Sequence, residues 1–314
     1  MRTKAIWISV ALLLVCAVLF MTLEARGSWE FVLWFRGRKL VALLLVGAAI
    51  STSTLLFQTI ARNNLLTPSI MGFDALYTLI LTLSVFFLGS VGFNQLPPEV
   101  VFLVTVVVLI AAALALFGTL LGQHRADLMR MVLTGIIFGV LFRSLTAFGV
   151  RMIDPNEFVT IQVKSYARFN YIDVNLLWMS LVLSVAAIAW CWHLRRRLDV
   201  LALGFDIATN LGEAVSKRQT QILILIALLV AVSTALVGPV AFLGLLVVSL
   251  ARLVSPNERH ATLIPLAALI AGIVLVGGQT LLERVFDLAT PLSVVVDFVG
   301  GFVFLVLLLR KART

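Results

Sequence analysis

The chain returns ten times to a long apolar run, over residues 5–22, 40–61, 73–90, 100–121, 130–149, 175–193, 219–237, 240–254, 262–282 and 292–309. A helix crossing the hydrocarbon needs about 20 apolar residues, and lipid offers no partner to a backbone N–H or C=O, so repeated runs of this length specify α-helices. The expected fold is all-α: a polytopic membrane helical bundle of about ten transmembrane helices, built by residues 1–314 as a single domain. Composition agrees. The chain is 61% hydrophobic and 12% charged, with mean hydropathy +1.11, where about a quarter of the residues of a soluble domain are charged.

Arg2 and Lys4 give the first run the flank of a signal peptide, but no small-x-small cleavage site follows, so it counts as a first span. The run from 219 to 254 is too long for one comfortable crossing, and Gly238-Pro239 divides it, because proline removes a backbone donor and clashes with the preceding turn. An even number of spans puts both termini on one side. Most of the 24 lysines and arginines fall in loops and tails on that side, which makes both termini cytoplasmic. The net charge of +9 therefore reads as topology, since no soluble basic domain is present to hold nucleic acid. Cys16 and Cys191 lie in apolar runs and read as small buried hydrophobes.

Two hydrophilic stretches interrupt the otherwise tight connections. One is external, about 150–174, where Asp154-Pro155-Asn156 opens a mixed-charge segment suited to a short helix over the membrane face. The other is cytoplasmic, about 194–219. Ile207 and Leu211 are four apart there, so they form an apolar stripe facing away from Asp206, Asn210 and Glu213, and Gly212 is a helix stop. Such a helix either lies on the lipid surface or docks into a groove on a partner.

Ordered motifs narrow the class. Val46-Gly-Ala-Ala-Ile, Gln58, Arg62-Asn63, Leu65, Pro68 and Gly72 stand around the second span; Leu201-Ala-Leu-Gly204, Ala208 and Leu211-Gly212 stand in the cytoplasmic loop. Gly238-Pro239-Val-Ala-Phe242-Leu-Gly244-Leu245 with Arg252, then Pro291 and the terminal Arg310-Lys311, complete the series. In this order they resemble permease subunits of type II ABC importers for iron-siderophores, haem and cobalamin. The version running from Asn63 to Gly72 is most similar to siderophore members, particularly the catecholate branch. Three positions depart from the pattern: Val248-Ser249 replaces Pro-His, Asp297 replaces a small or hydroxyl residue, and Asp74 replaces a small residue.

The resemblance implies a permease that moves a ferric siderophore into the cytoplasm across the bacterial inner membrane, with haem or cobalamin as alternative cargo. It implies cytoplasmic ATPase subunits, an external substrate-binding protein that is periplasmic or lipid-anchored, and a second permease, with a heterodimer favoured over a homodimer. No Gly-x-x-x-x-Gly-Lys-Ser/Thr loop occurs in the chain, so ATP and magnesium belong to the partner and no cofactor is expected here. By the same resemblance, ATPase coupling falls to Leu203, Gly204, Asp206, Ala208, Leu211 and Gly212; docking of the binding protein falls to Arg36, Lys39 and Arg284, against lipid-headgroup snorkelling as the plainer role. The translocation pathway is assigned Arg143, Ser144, Thr146, Ser293 and Asp297, with mere interhelix bonding as the other reading of Asp297.

His124, His193 and His260 are too far apart for a metal motif, and the chelate brings its own ligands, so no metal site is expected. An ion-coupled secondary transporter is the rival. It would use ionisable residues at midplane, where only Arg143 and Asp297 are candidates, and it leaves the cytoplasmic amphipathic helix unexplained. An intramembrane enzyme needs a facing catalytic pair, and none is visible.

Overall fold

The computed structural model describes residues 2–23, 28–123, 128–170, 172–284 and 291–311; His124 lies outside them. All secondary structure among the described residues is helical. Twelve helices follow in order: α1 (Arg2–Thr22), α2 (Trp29–Ala61), α3 (Phe73–Gln95), α4 (Pro98–Gln123), α5 (Leu128–Met152), α6 (Pro155–Lys164), α7 (Val174–Ala202), α8 (Phe205–Asn210), α9 (Val215–Val237), α10 (Leu243–Val254), α11 (His260–Arg284) and α12 (Leu292–Lys311). Eight of the described segments are long and apolar enough to cross a membrane, and Leu243–Val254 and Leu292–Val303 are shorter apolar helices. Each of the ten expected runs thus corresponds to a helix. The two remaining helices, α6 and α8, fall in the two hydrophilic stretches.

α2 is the hub: it packs against α1, α7, α9, α10 and α11. Its small and apolar face carries Val46, Ala49, Leu55 and Leu56, all wholly buried. On one side Val46 joins Val247, Leu266 and Ala271 in a core shared by α2, α10 and α11; on the other, Leu56 and Phe57 join Leu198, Ile226 and Leu229 of α7 and α9. With no hydrophobic drive between helices in lipid, such contacts depend on close packing and interhelical polar bonds. Gly72 shows the requirement at α3 and α5. It has φ +97°, and a Cβ there would lie 2.9 Å from Gly139 Cα, so neither backbone leaves room for a side chain.

α5 packs chiefly on α3 and less on α4, and its far face exposes Leu133, Ile137, Leu141, Leu145 and Phe148. α12 similarly exposes Phe298, Phe302 and Leu305. α3 breaks at Gly89 (φ 70°, ψ 165°), and the Glu157 carboxylate of α6 accepts the freed Ser90 N–H at 3.1 Å. Asp154 and Asp173 cap α6 and α7, accepting N–H bonds at 2.8 Å from Asn156 and Asn175 respectively.

The surroundings of Lys39 are polar and interhelical. α2 begins at Trp29, a full turn and more before the expected span, so Lys39 lies inside a helix that α11 packs against. Lys39 is only 8% exposed, and Nζ donates to Glu283 Oε1 and Asn170 Oδ1, each at 3.0 Å. It is therefore a buried interhelix cation rather than one presented at the surface.

Candidate coupling and translocation sites

Arg62, the α7–α8 corner, Arg252 and His260 gather at one end of the bundle, the end expected to be cytoplasmic. α7 stops at Ala202, and the chain turns at Gly204 with φ +121°, a conformation that L side chains rarely adopt. The Arg62 guanidinium lies against this corner, 3.5 Å from where a Gly204 Cβ would be. α8 follows. Ala208 is wholly buried in the core of α7 and α9, and Phe205 packs partly against the same cluster.

The opposite face of α8 is open. Leu203, Ile207 and Leu211 are 56%, 50% and 63% exposed, and Asp206 is exposed among them. The expected stripe of Ile207 and Leu211 thus points away from the bundle, and the inward contact is made by Ala208. Gly212, at φ +82°, ends the element, and Glu213 pairs with Arg218 and with Arg197 at 3.6 Å. α8 is accordingly held by its short side while three large apolar side chains and a carboxylate face outward.

Two polar joints fix this end to the span bundle. His260, 2% exposed, has Nδ1 at 2.7 Å from Asp199 Oδ1 and Nε2 at 2.8 Å from Thr59 Oγ1, and its backbone N–H donates to the same carboxylate at 2.8 Å. α2, α7 and α11 therefore meet on one imidazole, whose partner on α7, Asp199, stands four residues before Leu203. Arg252 of α10 pairs with Glu258 and donates to Gln58 Oε1 at 3.4 Å, while Gln58 Nε2 donates to the Asn64 carbonyl at 2.7 Å. Motif residues of the second and eighth runs are thus in contact although 194 positions separate Gln58 from Arg252.

At the other end, Lys39, Asn170, Glu283 and Gln279 form one network. Gln279 Nε2 donates to Glu283 Oε1 at 2.8 Å and to Asn170 Oδ1 at 3.2 Å. Arg36, a turn before Lys39, donates through one nitrogen to the carbonyls of Phe20, Met21 and Leu23 at 3.0, 3.2 and 2.8 Å, at the C-terminal end of α1. Arg284 is half-buried beside Glu283, and Arg38 stacks over Trp34 with 3.3 Å between guanidinium carbon and ring centre.

The nominated pathway residues occupy two walls. On α5, Arg143 and Ser144 are exposed, and Thr146 donates back to the Phe142 carbonyl at 2.8 Å. On α12, Ser293 is buried with no partner for its hydroxyl among the described residues. Asp297 reaches across to α10, accepting the Phe242 N–H at 2.9 Å. No residue of α10's own N-terminal turn caps it, so Asp297 supplies the anion that the helix end favours. Asp74, which departs from the pattern in the sequence, stands in the first turn of α3, where its carboxylate accepts from Ser69. Its signal was present as a carboxylate in place of a small residue. No group of three or more His, Cys, Asp and Glu side chains able to hold a metal occurs among the described residues.

Membrane-length helices joined by an exposed corner helix define a polytopic membrane subunit. The chain belongs to the FecCD transport family, whose model matches residues 4–310. It is 42% identical to the petrobactin import system permease protein YclO of Bacillus subtilis, over 97% of this chain and 96% of that one. It is 32% identical to the petrobactin import system permease protein FatC of Bacillus anthracis, over 87% and 77%. Among solved structures it resembles a metal-chelate type ABC transporter in an inward-facing conformation, with TM-score 0.85, 21% identity, and coverage of 98% of this chain and 99% of that one. At that identity the likeness concerns fold.

Proposed function

We propose that this chain is one permease subunit of a bacterial inner-membrane ABC importer that carries a ferric siderophore into the cytoplasm. The observation that carries the reading is likeness over nearly the whole length of one permease named for petrobactin import and over 77% of a second, together with the siderophore-type motif from Asn63 to Gly72. A separate ATPase pair hydrolyses ATP with magnesium, and an external binding protein delivers the chelate. The open face of α8, with Leu203, Asp206, Ile207 and Leu211, is where the ATPase docks. Gly204, Ala208 and Gly212 set the angle of that face. ATP-driven closure shifts α8 as a rigid element, and the joints at His260 and Arg252 pass the shift to α2, α10 and α11.

The apolar faces of α5 and α12 meet a second permease, a related partner rather than an identical copy. Arg143, Ser144, Thr146, Ser293 and Asp297, joined by Asp74, line the route between them. A large anionic chelate needs a wide corridor of weak contacts, which suits scattered hydroxyls and one arginine better than a tight pocket. Arg36 and Arg284 steer the binding protein, with the Lys39–Glu283 pair as the rigid support behind them.

The test is growth and iron uptake by a strain lacking the chain, supplied with a panel of ferric siderophores, haem and cobalamin. Loss confined to a siderophore supports the reading. Loss of haem or cobalamin uptake alone overturns the cargo assignment and leaves the transporter class intact.

A further inference from the structure

A cavity of about 380 Å³ lies between α3, α4, the end of α6, and the adjoining ends of α7 and α9. Its volume falls within the range of small-molecule sites. Ile80, Leu81, Val101 and Phe102 line it, and Leu88, Val100 and Val104, 49%, 45% and 52% exposed, stand at its lateral side. Exposed valine and leucine on membrane-length helices present that side to lipid.

The charge in the cavity is one-sided. Lys164 Nζ donates to Asn94 Oδ1 at 3.1 Å and sits 4.3 Å from the centre of the Phe93 ring. An ammonium has three donors, and Asn94 takes one. No carboxylate pairs with Lys164 among the described residues. Burial, and then Arg168 nearby, push the Lys164 ammonium below its ordinary pKa, so an anion brought to it would relieve the cost of holding that charge. The cation is also firmly placed: Tyr77 donates to the Lys164 carbonyl at 3.4 Å, and Glu157 ties α6 to Ser90 at 3.1 Å.

We propose that this cavity is a binding site for an anionic phospholipid, its phosphate on the Lys164 ammonium and one acyl chain entering past Leu88, Val100 and Val104. A cation at the depth of a helix end, with an apolar recess below it opening sideways, matches an amphiphile with a charged head and not a soluble anion. The inference is independent of which chelate is carried.

The experiment uses the assembled transporter, purified, delipidated and titrated with phosphatidylglycerol, phosphatidylcholine or inorganic phosphate, with bound lipid counted by native mass spectrometry. Wild type should retain phosphatidylglycerol in preference to phosphatidylcholine. Lys164→Gln should weaken that retention about tenfold, as expected for loss of a charge-assisted bond. Val104→Trp, a change at an exposed position, should block the entrance and give a similar loss with Lys164 intact. Should Lys164→Gln fail to assemble, Val104→Trp decides alone. Equal retention by wild type and either assembled variant, or equal binding of the two lipids, overturns the proposal. Inorganic phosphate competing as well as phosphatidylglycerol would make it an anion site without a lipid chain and overturn it likewise.

Discussion

Lys39 Nζ and Glu283 Oε1 lie 3.0 Å apart across the contact between α2 and α11, with side chains 10% and 11% exposed. Asn170 and Gln279 complete the bonding of the pair, so neither charge is left unsatisfied. Removing one partner strands the other in a poorly solvated site. Lys39→Ala or Glu283→Ala should each cost about 3 kcal/mol, while Lys39→Met with Glu283→Leu should cost much less. Thermal unfolding of the wild type and the three variants in one detergent checks this. Equal losses for single and double variants would count against a coupled pair.

The open face of α8 makes a separate prediction. Leu211→Asp should reduce copurification of the ATPase at least tenfold, because it places a charge in an apolar contact, yet leave the thermal midpoint of the isolated chain unchanged. Ala208→Leu should do the reverse in order, destabilising the chain first, since Ala208 is wholly buried and the core has no space for a larger side chain. Full ATPase retention by Leu211→Asp would remove α8 as the docking element.

Asp297 separates capping from charge. Its oxygen caps the start of α10, so Asp297→Asn should keep most of the stability while Asp297→Ala loses about 1 kcal/mol. Chemical denaturation of the two variants distinguishes them. If both lose equally, the negative charge rather than the acceptor holds the contact.

His260 joins three helices beside the coupling corner. His260→Ala leaves Asp199 and Thr59 without their shared partner, at a cost of about 2 kcal/mol. The same variant should lower ATP-dependent uptake more than ATPase binding. Unchanged uptake at normal expression would show that the imidazole is structural only.

Lys164 carries a pH signature. Its folded-state pKa lies below the ordinary 10.5, so the unfolded chain binds the proton more tightly. Stability of the lipid-free protein should therefore rise as pH climbs from the folded value towards 10.5, and the full penalty is present at neutral pH. Lys164→Gln should remove this slope. Thermal midpoints between neutral and alkaline pH, compared for the two proteins, measure it. A slope unchanged by the substitution would assign it to another group.

The spans were legible because a bilayer imposes one length and one polarity on every crossing, and the break at Gly238-Pro239 was legible because proline cannot continue a helix. Motif order named Gly204 and Ala208 only as coupling residues; the positive φ of the one and the burial of the other came from the structure. The partners of Lys39 were hidden for a definite reason: Asn170 and Glu283 are 131 and 244 positions away, and a cation near an apolar run looks the same whether it meets water or a buried carboxylate. Asp74 and the Asp199–His260 contact stayed hidden similarly, since helical periodicity reports which face of one helix is polar but not which distant helix that face meets. On α8, exposure shows that Ile207 and Leu211 face away from the bundle, a direction the sequence pattern alone did not give.

The central claim is that this permease moves its cargo only when a separate ATPase acts on α8. The direct measurement is uptake of a labelled ferric siderophore into proteoliposomes holding the permease pair and ATPase, with binding protein outside and ATP or a proton gradient supplied within. The account predicts uptake with ATP, none with the gradient alone, and loss of the ATP-driven uptake in Leu211→Asp. Uptake driven by the gradient without ATP or ATPase would contradict it.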